Sequence, residues 1–381
     1  MRDVQYKKAI ASVLECEAEK IFLYWKGRVA LFAALTSMGV KEGDEVILPA
    51  YTCVVVPNAI LYLGAKPIYV DISKDDYNLD ISKLENAITN KTKVIICQNT
   101  FGLSTNLEQI LLIAKKNNIY TIEDCTHGFG GYYNGKPNGS FCDAAFFSTQ
   151  WNKPFSTGIG GILLVNNKQL LDRVIRLESK KKNPSIIDAI SISLLLLSRK
   201  LFINKYSYYK MVNLYRILSK YKVVIGSSEG AEITSIEMPV KYFKDMSNIQ
   251  MIIGTKNIVT LKEINERRKN NSIIYTHFLK NNGKKFVAEK YFENHLFLKY
   301  PVLVNNRDLF IERANKANII LGDWFNSPIH PIKKNLHLWQ FDSKQFPISM
   351  EVSKKIVNLP TELKNTAAVL DFLKQNLDFI Q

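Results

Sequence analysis

The chain has 381 residues, 46% of them hydrophobic, with 51 Lys and Arg against 35 Asp and Glu, a formal net charge of +16. That length fits two domains or one large α/β domain with an appendage, and the apolar fraction excludes a largely disordered chain. The five cysteines (Cys16, Cys53, Cys97, Cys125, Cys142) form no CxxC and no His stands at metal-ligand spacing, so neither a disulfide framework nor a metal site is expected.

The first twenty residues are charged and amphipathic, unlike a signal peptide. With reduced thiols, this points to a cytoplasmic protein. A helix is expected from near Gly27 through Arg28–Met38, ending at Gly39. Short β-rich runs then alternate with helical patterns: Glu45–Pro49, a helix including Val54–Leu63, Pro67–Asp71, Lys93–Cys97, a helix over Leu107–Lys116, Ile119–Glu123, Ala144–Phe147 and Ile162–Val165. Such alternation implies parallel βαβ units with right-handed crossovers.

The character changes near Lys180. A segment to about Glu229 interleaves Arg199, Lys200, Lys205, Lys210, Arg216, Lys220 and Lys222 with Tyr206, Tyr208, Tyr209, Tyr215 and Tyr221. Two amphipathic helices, basic on one side, are expected. They form either a helical insertion over about 183–235 packed on its own domain, or a peripheral membrane contact through residues 183–229. The apolar run Ala189–Ser198 is about half of what a membrane span needs. The positive charge also invites nucleic acid as a partner, but no helix-turn-helix spacing, zinc knuckle or RNP-like strand is present. Anionic small molecules fit better, and no nucleic-acid partner is expected. Farther on, one long helix over Met246–Leu279, a strand at Tyr300–Val304, a helix at Arg307–Asn318 and a last helix near Thr366–Phe379 suggest a small α+β domain.

Three segments carry chemistry. In Asp143–Gly161 a strand ends at Phe147-Ser148, a loop holds Lys153, and Gly158, Gly160 and Gly161 follow. Ligands bind at that edge of open α/β sheets. A buried lysine there can form a Schiff base, although a surface-loop lysine fits this segment equally well. Upstream, Asp124 follows the strand IYTIE. A buried carboxylate there needs a cationic partner such as a protonated pyridine, or it caps a helix. His127 is either a contact to a cofactor oxygen or a satisfied core histidine. Finally, Lys26-Gly27-Arg28 opens a helix, where free N–H groups and the helix dipole favour a phosphate; Ser148 can add a hydrogen bond.

In combination these segments resemble the DegT/DnrJ/EryC1/StrS sugar aminotransferases. The similarity runs through GRVAL at Gly27–Leu31, GDEVILPAYT at Gly43–Thr52, Phe101-Gly102, Ile122–Gly128, Gly139–Gly161, Met246–Gln250 and VNLP at Val357–Pro360. The resemblance implies fold type I of pyridoxal-phosphate enzymes: α/β, a mostly parallel seven-stranded-type sheet sandwiched by helices, with a small α+β C-terminal domain. The division expected is 1–245 for the large cofactor-binding domain and 246–381 for the linking helix and small domain.

By position, the resemblance makes Lys153 the Schiff-base lysine and proton shuttle, and Asp124 the partner of the pyridine nitrogen. Ser148, Gly27 and Arg28 would hold the phosphate of pyridoxal 5′-phosphate. His127 stands where the family has glutamine. Thr52 and Cys53 would line the cofactor, but Cys53 replaces a stacking aromatic residue, leaving stacking to His127 or Tyr51. Phe243 and Asp245 replace the family's Asn–x–Arg, which reaches the partner subunit's cofactor. His330, in WFNSPIHP, would touch substrate. The implied activity is transfer of an amino group from an amino acid, glutamate foremost, to a keto carbon of a nucleotide-linked sugar in surface polysaccharide or glycan biosynthesis, by a homodimer with its active site at the interface. Lysine at 153 argues against the family's dehydratases, which have histidine there. The alternatives are a non-catalytic member that binds cofactor or ligand in a regulatory role, and an aminotransferase acting on a cyclitol.

Overall fold

The computed structural model describes residues 2–202, 207, 210, 211, 214, 215, 217, 218 and 230–381. Its centre is a seven-stranded sheet in the order β1-β10-β9-β6-β5-β2-β4. The strands are β1 (Ile21–Tyr24), β2 (Glu45–Pro49), β4 (Lys66–Val70), β5 (Thr92–Gln98), β6 (Tyr120–Asp124), β9 (Ala144–Ser148) and β10 (Gly161–Val165). A two-residue strand β3 (Thr52–Cys53) and a small hairpin of β7 (Tyr132–Tyr133) and β8 (Lys136–Pro137) lie outside this sheet.

Strands β4, β2, β5, β6 and β9 run parallel, whereas β10 is antiparallel to β9 and β1 to β10. The parallel strands are almost wholly buried, as a sheet covered on both faces requires. Helices α2 (Gly27–Ser37), α3 (Val55–Leu61) and α5 (Lys168–Glu178) contribute to the core on one side. On the other, α1 (Arg2–Leu14) and the helix Asn248–Ile258 share one core, and α4 (Leu107–Lys116) covers a second.

Strand β1 was not among the expected elements, and the expected long helix is two helices, Asn248–Ile258 and Leu261–Asn281. Ser247 and Gln250 form a capping box that starts the first. The β-branched pair Val259-Thr260 interrupts the run, with the Thr260 hydroxyl turned back to the Asn257 carbonyl at 3.1 Å.

A separate core joins the second of these helices to β11 (Tyr300–Leu303), which pairs antiparallel with β13 (Ile356–Leu359). Between them β12 (Ile329–His330) pairs parallel with β3, and Ile329, Ile332, Trp339 and Phe341 join the core of the large sheet. This chain excursion carries the C-terminal segment to the edge where the strands end. Of the basic segment, α6 (Ile186–Phe202) is described. Lys205, Tyr206, Tyr208, Tyr209, Arg216, Lys220, Tyr221 and Lys222 lie outside the described residues, and so does most of the second expected helix.

Candidate active site

Sheet register brings the chemistry-bearing segments together. Ser148 pairs with Gly161, and Gly161 pairs with Tyr24. Because β1 and β10 reverse direction, the start of α2 therefore stands at the same sheet edge as Ser148 and Asp124. Gly27 is required there: a Cβ on it would come within 2.8 Å of the Ser148 Cβ. Thus Ser148 and the backbone N–H groups opening α2 form one cradle of the kind that takes a phosphate. Arg28 is buried in the same place and pairs with the equally buried Glu232. The sequence offered no sign of Glu232 as its counterion.

Asp124 ends β6 and is buried. Its neighbour Glu123 points to the opposite face, as strand alternation dictates, and accepts from the Gly139 N–H at 2.8 Å. The Asp124 Oδ1 accepts from the Thr126 N–H at 3.0 Å, and among the described residues no cation lies within ion-pair distance of it. Burial raises its carboxyl, against the Thr126 hydrogen bonds and the Lys153 charge. Burial lowers the Lys153 amine to about 8, opposed by the Asp124 charge and reinforced by Lys299 and Arg28. The two groups sense one another across the site.

His127 is buried, and its Nδ1 accepts from the Phe101 N–H at 3.2 Å. That bond assigns its proton to Nε2. Burial, with the Lys153 and Lys299 charges next, holds it well below the usual histidine range, so the ring is neutral. Thr52 is fully buried, and its hydroxyl is a buried polar atom with no hydrogen-bond partner. Cys53 is paired in register with His330, and burial raises its thiol. His330 Nδ1 lies 3.0 Å from the Asn326 Oδ1. The positions singled out by sequence are therefore assembled at one edge.

Two residues that sequence reasoning missed complete the arrangement. The Trp324 ring stacks on His127, with centroids 4.8 Å apart and planes 6° from parallel. Lys153 and Lys299 place their Nζ atoms 4.6 and 5.4 Å from the same indole. Tyr51 does not share this stack: its ring meets Phe101 and Phe325 edge-on, and its hydroxyl donates to the Phe325 carbonyl. Trp324 sits inside the segment noticed for His330, so that signal was present but assigned to a neighbour. Lys299 had none.

Phe243 and Asp245 are engaged within their own chain. Phe243 packs against Tyr24 and Phe32, and Asp245 pairs with Lys181 at 3.0 Å.

The sequence profile of the DegT/DnrJ/EryC1/StrS aminotransferase family matches residues 24–185 and 224–371. This chain belongs to that family. A GDP-perosamine synthase of Escherichia coli O157:H7 is 44% identical over 154 residues, 40% of this chain and 42% of that protein. The match thus spans about two-fifths of that relative's length. A dTDP-3-amino-3,6-dideoxy-alpha-D-galactopyranose transaminase of Aneurinibacillus thermoaerophilus is 28% identical over 347 residues, 91% of this chain and 81% of that one.

The fold agrees with the family. A DegT/DnrJ/EryC1/StrS aminotransferase from Brucella abortus superposes with a TM-score of 0.75 at 19% identity, over 98% of this chain and 90% of the other. NtdA from Bacillus subtilis, solved with the cofactor PMP, gives 0.72 at 20% identity, over 99% and 77%. The residues of this family member fit pyridoxal phosphate: a cradle at Gly27 that a Cβ would fill and, among the described residues, a buried carboxylate with no cation at ion-pair distance and a Thr52 hydroxyl with no hydrogen-bond partner.

Proposed function

We propose that this protein is a pyridoxal-phosphate-dependent aminotransferase that moves an amino group from an amino acid, glutamate foremost, to a keto carbon of a nucleotide-linked sugar. The observation that carries this reading is the buried Asp124 carboxylate, with no cation at ion-pair distance among the described residues, in electrostatic reach of a Lys153 amine lowered to about 8. The named sugar-nucleotide relatives support the substrate class. A role in surface polysaccharide or glycan synthesis, a cytoplasmic location and a homodimer belong to the same proposal. So does the division at residue 245, with residues 329–346 packed back on the large sheet.

The cofactor supplies an electron sink when bound. The chain's residues do the rest. Asp124 holds a protonated ring nitrogen, whose charge offsets the cost of burying the carboxylate. His127 offers its Nε2–H to the ring oxygen. Ser148 and the N–H groups at Gly27 and Arg28 bind the phosphate. The Lys153 Nζ takes the proton from the donor's α-carbon and later delivers one to the sugar carbon; an amine near 8 can serve in both directions at neutral pH. Trp324 roofs the lysine and limits water around it.

One observation favours a second reading, a member that binds ligand without turnover. Arg28 is tied to Glu232, and Phe243 and Asp245 are occupied within the chain, which thins the phosphate contacts expected from the family. Incubation with glutamate and a panel of nucleotide-linked ketosugars, followed by mass spectrometry, separates the two. Formation of 2-oxoglutarate and an aminosugar supports catalysis. Tight cofactor binding with no turnover of any amino donor supports the second reading, and amination of a cyclitol ketone alone would move the acceptor away from sugars.

A further inference from the structure

Helix α6 has two apolar faces with different fates. Its inner face is packed: Ile192 is buried in a cluster with Trp25 and Ile159, joined by Leu196 and Ile249. The Arg199 guanidinium lies 5.0 Å from the Trp151 ring. Asp188 pairs with Lys244 at 2.7 Å. The helix is thus seated on the loop that carries Lys153. Among the described residues its outer face has no cover. Ile186, Ile187, Ile190, Leu194, Leu197 and Leu201 are each between 53% and 79% exposed. Advancing about 100° per residue, these six positions fall within a single arc of roughly 100°. A stripe of this kind marks a binding face, whereas single exposed leucines do not.

We infer that the outer face of α6 docks on an anionic lipid surface, lying in its plane. Charge selects this occupant. From Ala189 to Ser228 the sequence contains no Asp or Glu, while Arg199 and Lys200 close the helix and five more basic residues follow before Glu229. A second copy on the same face would bring together two segments of the same net positive charge. Anionic headgroups would neutralise the segment's positive charge, with Lys200 next to the stripe, while the acyl boundary beneath them accepts the apolar side chains. Among the described residues no helix is long and apolar enough to cross a membrane, and the 17 residues of this one reach about 26 Å at 1.5 Å each. The surface goes beyond the proposed catalytic function and does not depend on it. Because the inner face rests on the Lys153 loop, docking would hold the site at the membrane surface.

The test is flotation of the full-length protein with vesicles of phosphatidylcholine alone or mixed with phosphatidylglycerol, at low and high salt. The protein should float with the anionic vesicles at low salt, and salt should weaken the association. The triple variant Ile190→Ser, Leu194→Ser, Leu197→Ser should lose at least about tenfold in partitioning, and Lys200→Gln roughly fivefold. All three side chains of the triple variant are exposed, and retained cofactor absorbance reports its folding. Protein that stays unbound to anionic vesicles at low salt overturns the inference. Equal binding to neutral vesicles overturns the charge selection. A fall in molar mass by light scattering in the triple variant overturns it in favour of a second copy on this face.

Discussion

The two walls of the site are built differently. On one, Gly27, Asp124 and Ser148 stand at the ends of buried, mostly parallel strands or at a helix start, fixed by sheet register. On the other, Lys299, Trp324 and His330 arrive from the C-terminal part of the chain through loops and one two-residue strand. The first wall holds charge in place where no rearrangement is needed. The second is set by how the C-terminal part of the chain packs on the sheet edge. On the proposed function, the sheet wall performs the chemistry and the loop wall tunes reactivity and selects substrate.

Substitutions on the two walls should therefore fail in different ways. Lys153→Ala should show the largest effect, a loss of turnover of about 10⁴-fold or more for every donor and acceptor, with no covalent attachment of cofactor after borohydride reduction. Asp124→Asn should follow, lowering kcat by about 100- to 1000-fold while leaving attachment to Lys153 detectable by peptide mapping. An effect confined to one substrate in either variant would break the division between walls. Trp324→Ala, on the loop wall, should raise KM for the acceptor by about tenfold more than it lowers kcat.

The smallest effect is a shift of pH dependence. The reactive Lys153 amine must be neutral, so the attachment rate should rise with pH and level off above about 8. Lys299 lowers that value, so Lys299→Met should move the rising limb to higher pH, and a shift to lower pH would contradict the arrangement. The sign for stability follows from the same group. Its folded value, about 8, lies below its ordinary value of 10.5, so the apoprotein should gain stability as pH climbs between the two. Lys153→Met should flatten that slope in thermal unfolding scans.

The sheet wall was legible in the sequence because its signals are local. Strand runs, a lysine beyond a strand end and a glycine at a helix start each follow from short-range chemistry, and the combination resembled one family. Trp324 was marked only through its neighbour His330, and Lys299 not at all, because the two meet only when β12 pairs with β3 and the C-terminal part reaches the sheet edge. Glu232 was hidden for the same reason: its pairing with Arg28 joins residues far apart in the chain. The single long helix was over-read because an apolar pattern continues across Val259-Thr260, where the backbone turns.

The most direct test of the central claim is an absorbance titration of the purified protein, loaded with pyridoxal phosphate, with glutamate, run alongside Lys153→Ala. The account expects a visible band that depends on Lys153 and bleaches as 2-oxoglutarate appears. A band that forms in the variant as it does in the wild type, or no band in either, would contradict it.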